Sequence, residues 1–154
     1  MSKIEARLAE LGLTLPEAGA PIANYVPFTV SGKIIYVSGQ VPRKDGKIHP
    51  VGHLGADVSI EDAKKAAEQC FLSILAHAKV AAGGDLDRIA RVLRVTGYVN
   101  STPDFGDQPS VINGASDCAV AVFGDAGRHA RSAIGVGSLP GGAAVEVEAI
   151  LELV

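Results

Sequence analysis

Two side chains offer the most direct chemistry in this sequence of 154 residues, a guanidinium at Arg131 and a carboxylate at Glu146. Arginine presents a planar fork that grips a carboxylate through two parallel hydrogen bonds. Arg131 lies in the strand-like run Ala130-Arg131-Ser132-Ala133-Ile134-Gly135-Val136. Glu146 and Glu148 alternate with Val145 and Val147, so the glutamates share one side of a pleat and the valines the other. Between the runs stands Leu139-Pro140-Gly141-Gly142, where proline presets one turn angle and glycine tolerates positive φ. Paired as a hairpin, the two runs would set cation and anion on neighbouring strands of one sheet. Arg131 would then hold a substrate's carboxylate while Glu146 positions or activates a water, with the guanidinium favouring the ionised glutamate. The competing reading is a cross-strand ion pair on a solvated face, worth little energetically.

Other reactive residue types carry weaker signals. His49 and His53 are four residues apart, a spacing that suits a metal on a helix, but Pro50-Val51-Gly52 lies between them and no helix is expected. No metal is therefore expected. His77 falls late in a helical pattern and His129 in a loop, and both read as surface residues. Cys70 and Cys118 occupy helical patterns without neighbours that lower a thiol pKa, so they read as core residues rather than nucleophiles. Gly135-Val136-Gly137 leads into a turn and a strand, whereas a phosphate site needs a helix N-terminus there. No Walker motif, nucleophile elbow or zinc signature is present.

The elements that must position these groups follow from periodicity. Ser2 to Leu11 is patterned as a short surface helix, and residues 12 to 24 read as a loop. Tyr25 to Val30 and Lys33 to Gly39 read as strands, and residues 42 to 57 as a long polar loop. Ser59, three residues before Asp62, caps a helix whose apolar positions Ala63, Ala66, Ala67, Cys70, Ile74 and Ala78 recur at helical spacing. Gly83-Gly84 stops it. Most of Ile89 to Val99 reads as strand, and Pro109 to Phe123 as a second helix ended by Gly124. Two main helices cannot cover both faces of such a sheet. The expectation is an α+β layer with both helices on one face, leaving the other open as a candidate subunit interface.

Length fits a single domain spanning 1–154, with 1–20 as an N-terminal helix and loop extension. An apolar content of 47% with 20% charged residues is that of a globular chain. A net charge of −3 supplies no electrostatic footprint for nucleic acid or an anionic membrane. No apolar run is long enough to span a bilayer, and the charged N-terminus lacks a signal peptide's apolar stretch. With its two thiols, the chain reads as cytoplasmic.

At these residues the chain resembles the Rid/YjgF family, the reactive-intermediate deaminases also labelled endoribonuclease L-PSP. The likeness runs from about Pro21 to the C-terminus. Its markers are Tyr25, Val37-Ser38-Gly39-Gln40-Val41-Pro42, Asn113, Ala130-Arg131-Ser132, Leu139-Pro140 and Val145-Glu146-Val147-Glu148-Ala149-Ile150. The resemblance implies a chorismate-mutase-like (bacillar type) α+β fold, with a mixed sheet backed by two helices on one face. It further implies a homotrimer whose sheets face inward as a barrel, with clefts between neighbouring subunits. The implied activity is hydrolysis of 2-imino acids or their enamine tautomers to 2-oxo acids and ammonia, with no cofactor. Arg131 would bind the imino acid's carboxylate and Glu146 would orient the attacking water. Tyr25 would line the cleft from the facing subunit, Ser38 and Gly39 would border it, and Asn113 would add a polar contact. Archetypal members carry cysteine two positions after the arginine. Here that position is Ala133, which marks a divergent subgroup.

Two other functions compete. A non-catalytic module would use the same cleft to bind a small carboxylate metabolite. An endoribonuclease or translation inhibitor would need a basic surface with interleaved aromatic residues, which the composition does not supply.

Overall fold

The structure, a computed structural model, describes residues 1–21 and 23–154. Its first element is a short helix, α1 (Lys3–Glu10), opened by a capping box in which Ser2 accepts from the Glu5 backbone and Glu5 reaches back to Ser2. The Asp87 carboxylate accepts the free N–H groups of Lys3 and Ile4, both at 2.9 Å, and Arg7 Nε donates to the Ala121 carbonyl at 2.9 Å. A Glu5–Lys79 ion pair completes the attachment. The N-terminal extension is thus tied to the domain by hydrogen bonds at both ends of its helix.

Strands β1 (Phe28–Ser31) and β2 (Ile34–Gln40) form an antiparallel pair. They are followed by a small hairpin of β3 (Arg43–Lys44) and β4 (Lys47–Ile48). Asp45 and Gly46 both have positive φ at its tip, the backbone an Asp-Gly two-residue turn demands. The 42–57 stretch read as loop therefore begins with a hairpin, and it ends anchored. Leu54 is fully buried, its N–H donates to the Asn100 carbonyl at 2.8 Å, and its own carbonyl accepts from Thr102 at 3.0 Å.

Helix α2 (Ile60–Ala81) starts where expected, with the Ser59 hydroxyl accepting from the Asp62 N–H at 3.1 Å. Positive φ at Gly83 and Gly84 ends it. Strand β5 (Ile89–Asn100) and helix α3 (Gln108–Phe123) also match their expected spans closely, and β6 (Ala130–Val136) and β7 (Val145–Leu153) complete the chain. Helices α2 and α3 approach so closely that a Cβ on Gly114 would stand 1.9 Å from the Lys64 carbonyl oxygen. Only glycine fits there.

The main sheet has the order β1-β2-β7-β5-β6, antiparallel except for the parallel β5–β6 pair. Alternation along β7 buries Val145, Val147, Ala149, Leu151 and Leu153 beneath the helices. The opposite face, with Tyr36, Tyr98, Ile134, Ile150, Glu146 and Glu148, is covered by no helix. Tyr36 and Ile134 are each 46% exposed on it.

The topology corrects the expected hairpin. β6 and β7 do not pair; β5 lies between them and is bonded to both. The turn Leu139–Gly142 is drawn instead toward the 50–52 segment, with Gly52 N–H donating to the Gly142 carbonyl at 3.0 Å and Ala144 N–H to the Pro50 carbonyl at 3.1 Å. The chain is thereby carried across the end of β5 before it re-enters the sheet. Long β5, whose helix-facing positions are apolar except at Gly97, lies between the middle strand β7 and the edge strand β6.

Candidate active site

Arg131 pairs in register with Val95, a fully buried residue on the helix-covered side of β5. Its side chain therefore points toward α3. Arg131 Nη1 donates to Asn113 Oδ1 at 2.8 Å and to Ser116 Oγ at 3.2 Å. Ser116 in turn lies 2.8 Å from His129 Nε2, and His129 Nδ1 lies 2.6 Å from the Gly127 carbonyl. A carbonyl only accepts, so His129 Nδ1–H donates to it, and Nε2 meets the Ser116 hydroxyl. The result is a four-member chain that orients one guanidinium from behind. No carboxylate pairs with Arg131 among the described residues. A half-buried cation held by neutral groups, on the outermost strand of the sheet, keeps donor capacity and charge that an anion could satisfy.

Glu146 pairs in register with Tyr98 and shares the open side of the sheet with it. Its carboxyl group reaches the bulge in β2, where the register slips between Val37 and Gln40. A Cβ on Gly39 would stand 2.9 Å from Glu146 Cδ, so the carboxyl occupies the space a side chain would fill. We expect Gly39→Ala to displace the carboxyl and to destabilise the fold by roughly 1–3 kcal/mol through overpacking, measured as a lowered denaturant midpoint. Burial raises the Glu146 pKa above the ordinary carboxylate value, and the negative charge of Glu148 raises it further. Tyr98 Oη donates to Glu148 at 2.8 Å, which holds that second carboxylate in place and pushes the phenol's own pKa up.

A cavity of about 410 Å³ opens in front of Glu146. Tyr25, Ser38, Gly39 and Gln40 line it, with Gln69, Ser73 and His77 from α2 and Pro16, Glu17, Gly19, Ala20 and Pro21 from the N-terminal segment. The Ser38 hydroxyl donates to the Val26 carbonyl at 2.8 Å and its N–H to the Pro27 carbonyl at 2.9 Å, fixing the approach to Tyr25.

The structure therefore gathers the site residues into two groups. Tyr25, Ser38, Gly39 and Glu146 share one cavity, and Asn113 and Arg131 share another place. The groups lie on opposite faces of the sheet with β5 between them, three register positions apart along β5. With neighbouring strands about 4.8 Å apart and about 3.3 Å per residue, one chain does not bring Arg131 to Glu146. One expectation is corrected: within a chain the guanidinium does not favour the ionised glutamate, and burial raises the Glu146 pKa instead. Tyr25 lines the cavity of its own chain's Glu146, and Arg131 does not line it.

Sequence reasoning also passed over three residues. Ser116 carried no signal, since its value depends on β6 lying beside α3. His129 and His77 read as surface residues; His129 is bonded at both nitrogens, and His77 is buried at 6% exposure. The two thiols are buried, Cys118 with its pKa pushed up to about 12 by burial first and the Glu68 charge second. Among the described residues no group of His, Cys, Asp or Glu side chains is arranged to hold a metal ion, and no helix is long and apolar enough to cross a membrane.

Known proteins resemble this chain in sequence and in structure. Protein TCP17 of Trypanosoma cruzi is 47% identical over 152 residues, which cover 98% of this chain and 94% of that protein. The crystal structure of Atu1372 from Agrobacterium tumefaciens, a protein described as of unknown function, superimposes with a TM-score of 0.91 at 52% identity, covering 98% of this chain and 92% of the other. A "putative endoribonuclease" from Shewanella oneidensis gives 0.92 at 35% identity over 97% and 99% of the two chains. RidA from the Antarctic bacterium Psychrobacter sp. PAMC 21119 is more distant, with a TM-score of 0.61 at 27% identity over 89% and 94%. The higher scores and the lower one separate a close subgroup from a RidA-type neighbour. Residues 5–151 match the family described as "YjgF/chorismate mutase-like, putative endoribonuclease", and with its mixed sheet backed by two helices the chain belongs to that YjgF/Rid family.

Proposed function

We propose that the protein hydrolyses 2-imino acids, or their enamine tautomers, to 2-oxo acids and ammonia, in clefts between subunits of a homotrimer. Arg131 of one copy binds the substrate's carboxylate, and Glu146 of a neighbouring copy orients the water that attacks the C=N carbon. The observation that carries this reading is the guanidinium of Arg131, oriented by Asn113 and Ser116 on the outermost strand and paired with no carboxylate among the described residues. Its natural complement is a small carboxylate.

An imine needs little activation, so fixing its carboxylate and placing one water supplies much of the catalysis through orientation. Because one chain holds the two groups apart, a second copy must complete the site. The apolar and tyrosine side chains on the open sheet face supply a surface on which copies can meet. RidA as a structural neighbour supports the reaction class. The endoribonuclease description of the family finds no electrostatic support here, because the chain's net charge is −3.

The test is to generate 2-iminopropanoate in the assay with an amino-acid oxidase and follow its loss with and without the protein. Accelerated loss that Arg131→Ala abolishes supports the deaminase. Tight binding of 2-oxo acids with no acceleration of imine loss assigns the cleft to metabolite binding alone. Ser116→Ala removes one of the two bonds orienting the guanidinium, so KM is expected to rise about five- to tenfold with kcat changed much less. Steady-state kinetics of the variant at fixed pH measure that split.

A further inference from the structure

The cavity that Glu146 lines also carries polar groups of α2 that the hydrolysis itself does not use. Gln69, Ser73 and His77 are spaced four residues apart on α2 and so form one stripe along the helix. The rest of the inward surface of α2 is built from apolar residues such as Ala63, Ala67, Phe71 and Ile74. A polar stripe beside that core needs something to bond to. Gln69 is already engaged through its amide N–H with the Arg43 carbonyl, and the Ser73 hydroxyl donates to the Gln69 carbonyl at 3.2 Å. Acceptor capacity is left on both side chains.

His77 has less. It is 6% exposed, and its Nδ1 is enclosed with no hydrogen-bond partner among the described residues. Burial lowers its pKa, which favours the neutral ring. A bare, enclosed lone pair is tolerated better than a bare, enclosed N–H, which puts the single proton on Nε2. The ring therefore offers a donor toward whatever fills the cavity, flanked by the free acceptors of Ser73 and Gln69.

We propose that this stripe is the subsite for the substrate's side chain, and that it selects 2-imino acids carrying an uncharged hydrogen-bonding group, an amide or a hydroxyl. The proposal rests on the imine-hydrolysis reading of Glu146 and Arg131. An amide oxygen accepts from His77 Nε2–H while the amide nitrogen donates to Ser73 or Gln69. An ammonium has no lone pair for that N–H. A second carboxylate would enter a cavity whose charged side chains are Glu17, Glu146 and Arg43, a net negative wall. An aliphatic side chain leaves the stripe unsatisfied, which is the strongest form of discrimination a binding site offers.

Asparagine and leucine differ in their side-chain terminus but have almost the same shape, so the 2-imino acids generated from them by an amino-acid oxidase form the test pair. Wild-type protein is expected to favour the amide-bearing imine by about tenfold or more in kcat/KM. His77→Leu should bring that ratio close to one, slowing the amide-bearing imine and relieving the leucine-derived one of an unsatisfied donor, and His77→Gln should keep part of the preference. A wild-type ratio near one, or a ratio that His77→Leu leaves unchanged, overturns the proposal. If His77→Leu fails to fold, judged by its thermal unfolding, Ser73→Ala reads the same ratio. Calorimetric titration with the stable 2-oxo acids of the same pair separates the two levels of the argument. Tighter binding of the amide-bearing 2-oxo acid, lost in His77→Leu, upholds the subsite even where no imine is hydrolysed. Equal binding of the two by wild type overturns it even where both imines are turned over.

Discussion

Glutamine in place of Glu146 is expected to reduce kcat by roughly 10²–10⁴-fold, the range over which a positioned acid–base group contributes to a reaction. Binding of a 2-oxo acid should survive, because the amide keeps the shape of the carboxyl beside Gly39. Single-turnover kinetics with titration of the 2-oxo acid measure the two effects separately. Equal activity of variant and wild type would remove Glu146 from the mechanism. The wild-type pH profile carries a second mark of the same group. Water is oriented by the ionised carboxylate, so activity falls as pH drops through the folded-state pKa. Burial and the neighbouring Glu148 raise that pKa. Glu148→Gln, which removes the second of those causes, should therefore move the acid limb of kcat/KM downward in pH.

Arg131→Ala is expected to lower kcat/KM by roughly 10²–10³-fold, because a two-pronged charged contact is lost and the substrate is no longer held for attack. The loss should appear in KM as well as in kcat, and affinity for 2-oxo acids should fall in parallel. Arg131→Lys should recover little of it, since an ammonium cannot reproduce the fork that Asn113 and Ser116 orient. Steady-state kinetics and calorimetry on the three proteins decide this.

The elements were legible where local chemistry decides them. The hydroxyl of Ser59 and the Gly83-Gly84 pair bound α2, and the alternation of Val145, Glu146, Val147 and Glu148 gives β7 its two faces. What periodicity does not carry is which strands become neighbours. Leu139-Pro140-Gly141-Gly142 has the composition of a tight turn, but its backbone is claimed by Gly52 and Pro50, and that contact is non-local. With β5 between β6 and β7, the register puts Arg131 and Glu146 on opposite faces, and the expected partnership within a chain is lost. Asp45-Gly46 was a local hairpin signal available to inspection and passed over. His77 and His129 were not readable as buried or bonded, since each depends on an element distant in sequence or on the path of a loop.

The central claim, that a guanidinium and a carboxylate from different copies work in one cleft, is tested most directly by mixing. Arg131→Ala and Glu146→Gln subunits, each inactive alone, are unfolded together and reassembled at equal amounts, and imine loss is followed. Random assembly places an intact arginine against an intact glutamate at about a quarter of the clefts, so about a quarter of wild-type activity should return. Mixed assemblies that form and stay inactive would show that both residues serve the cleft from one subunit, contradicting the account.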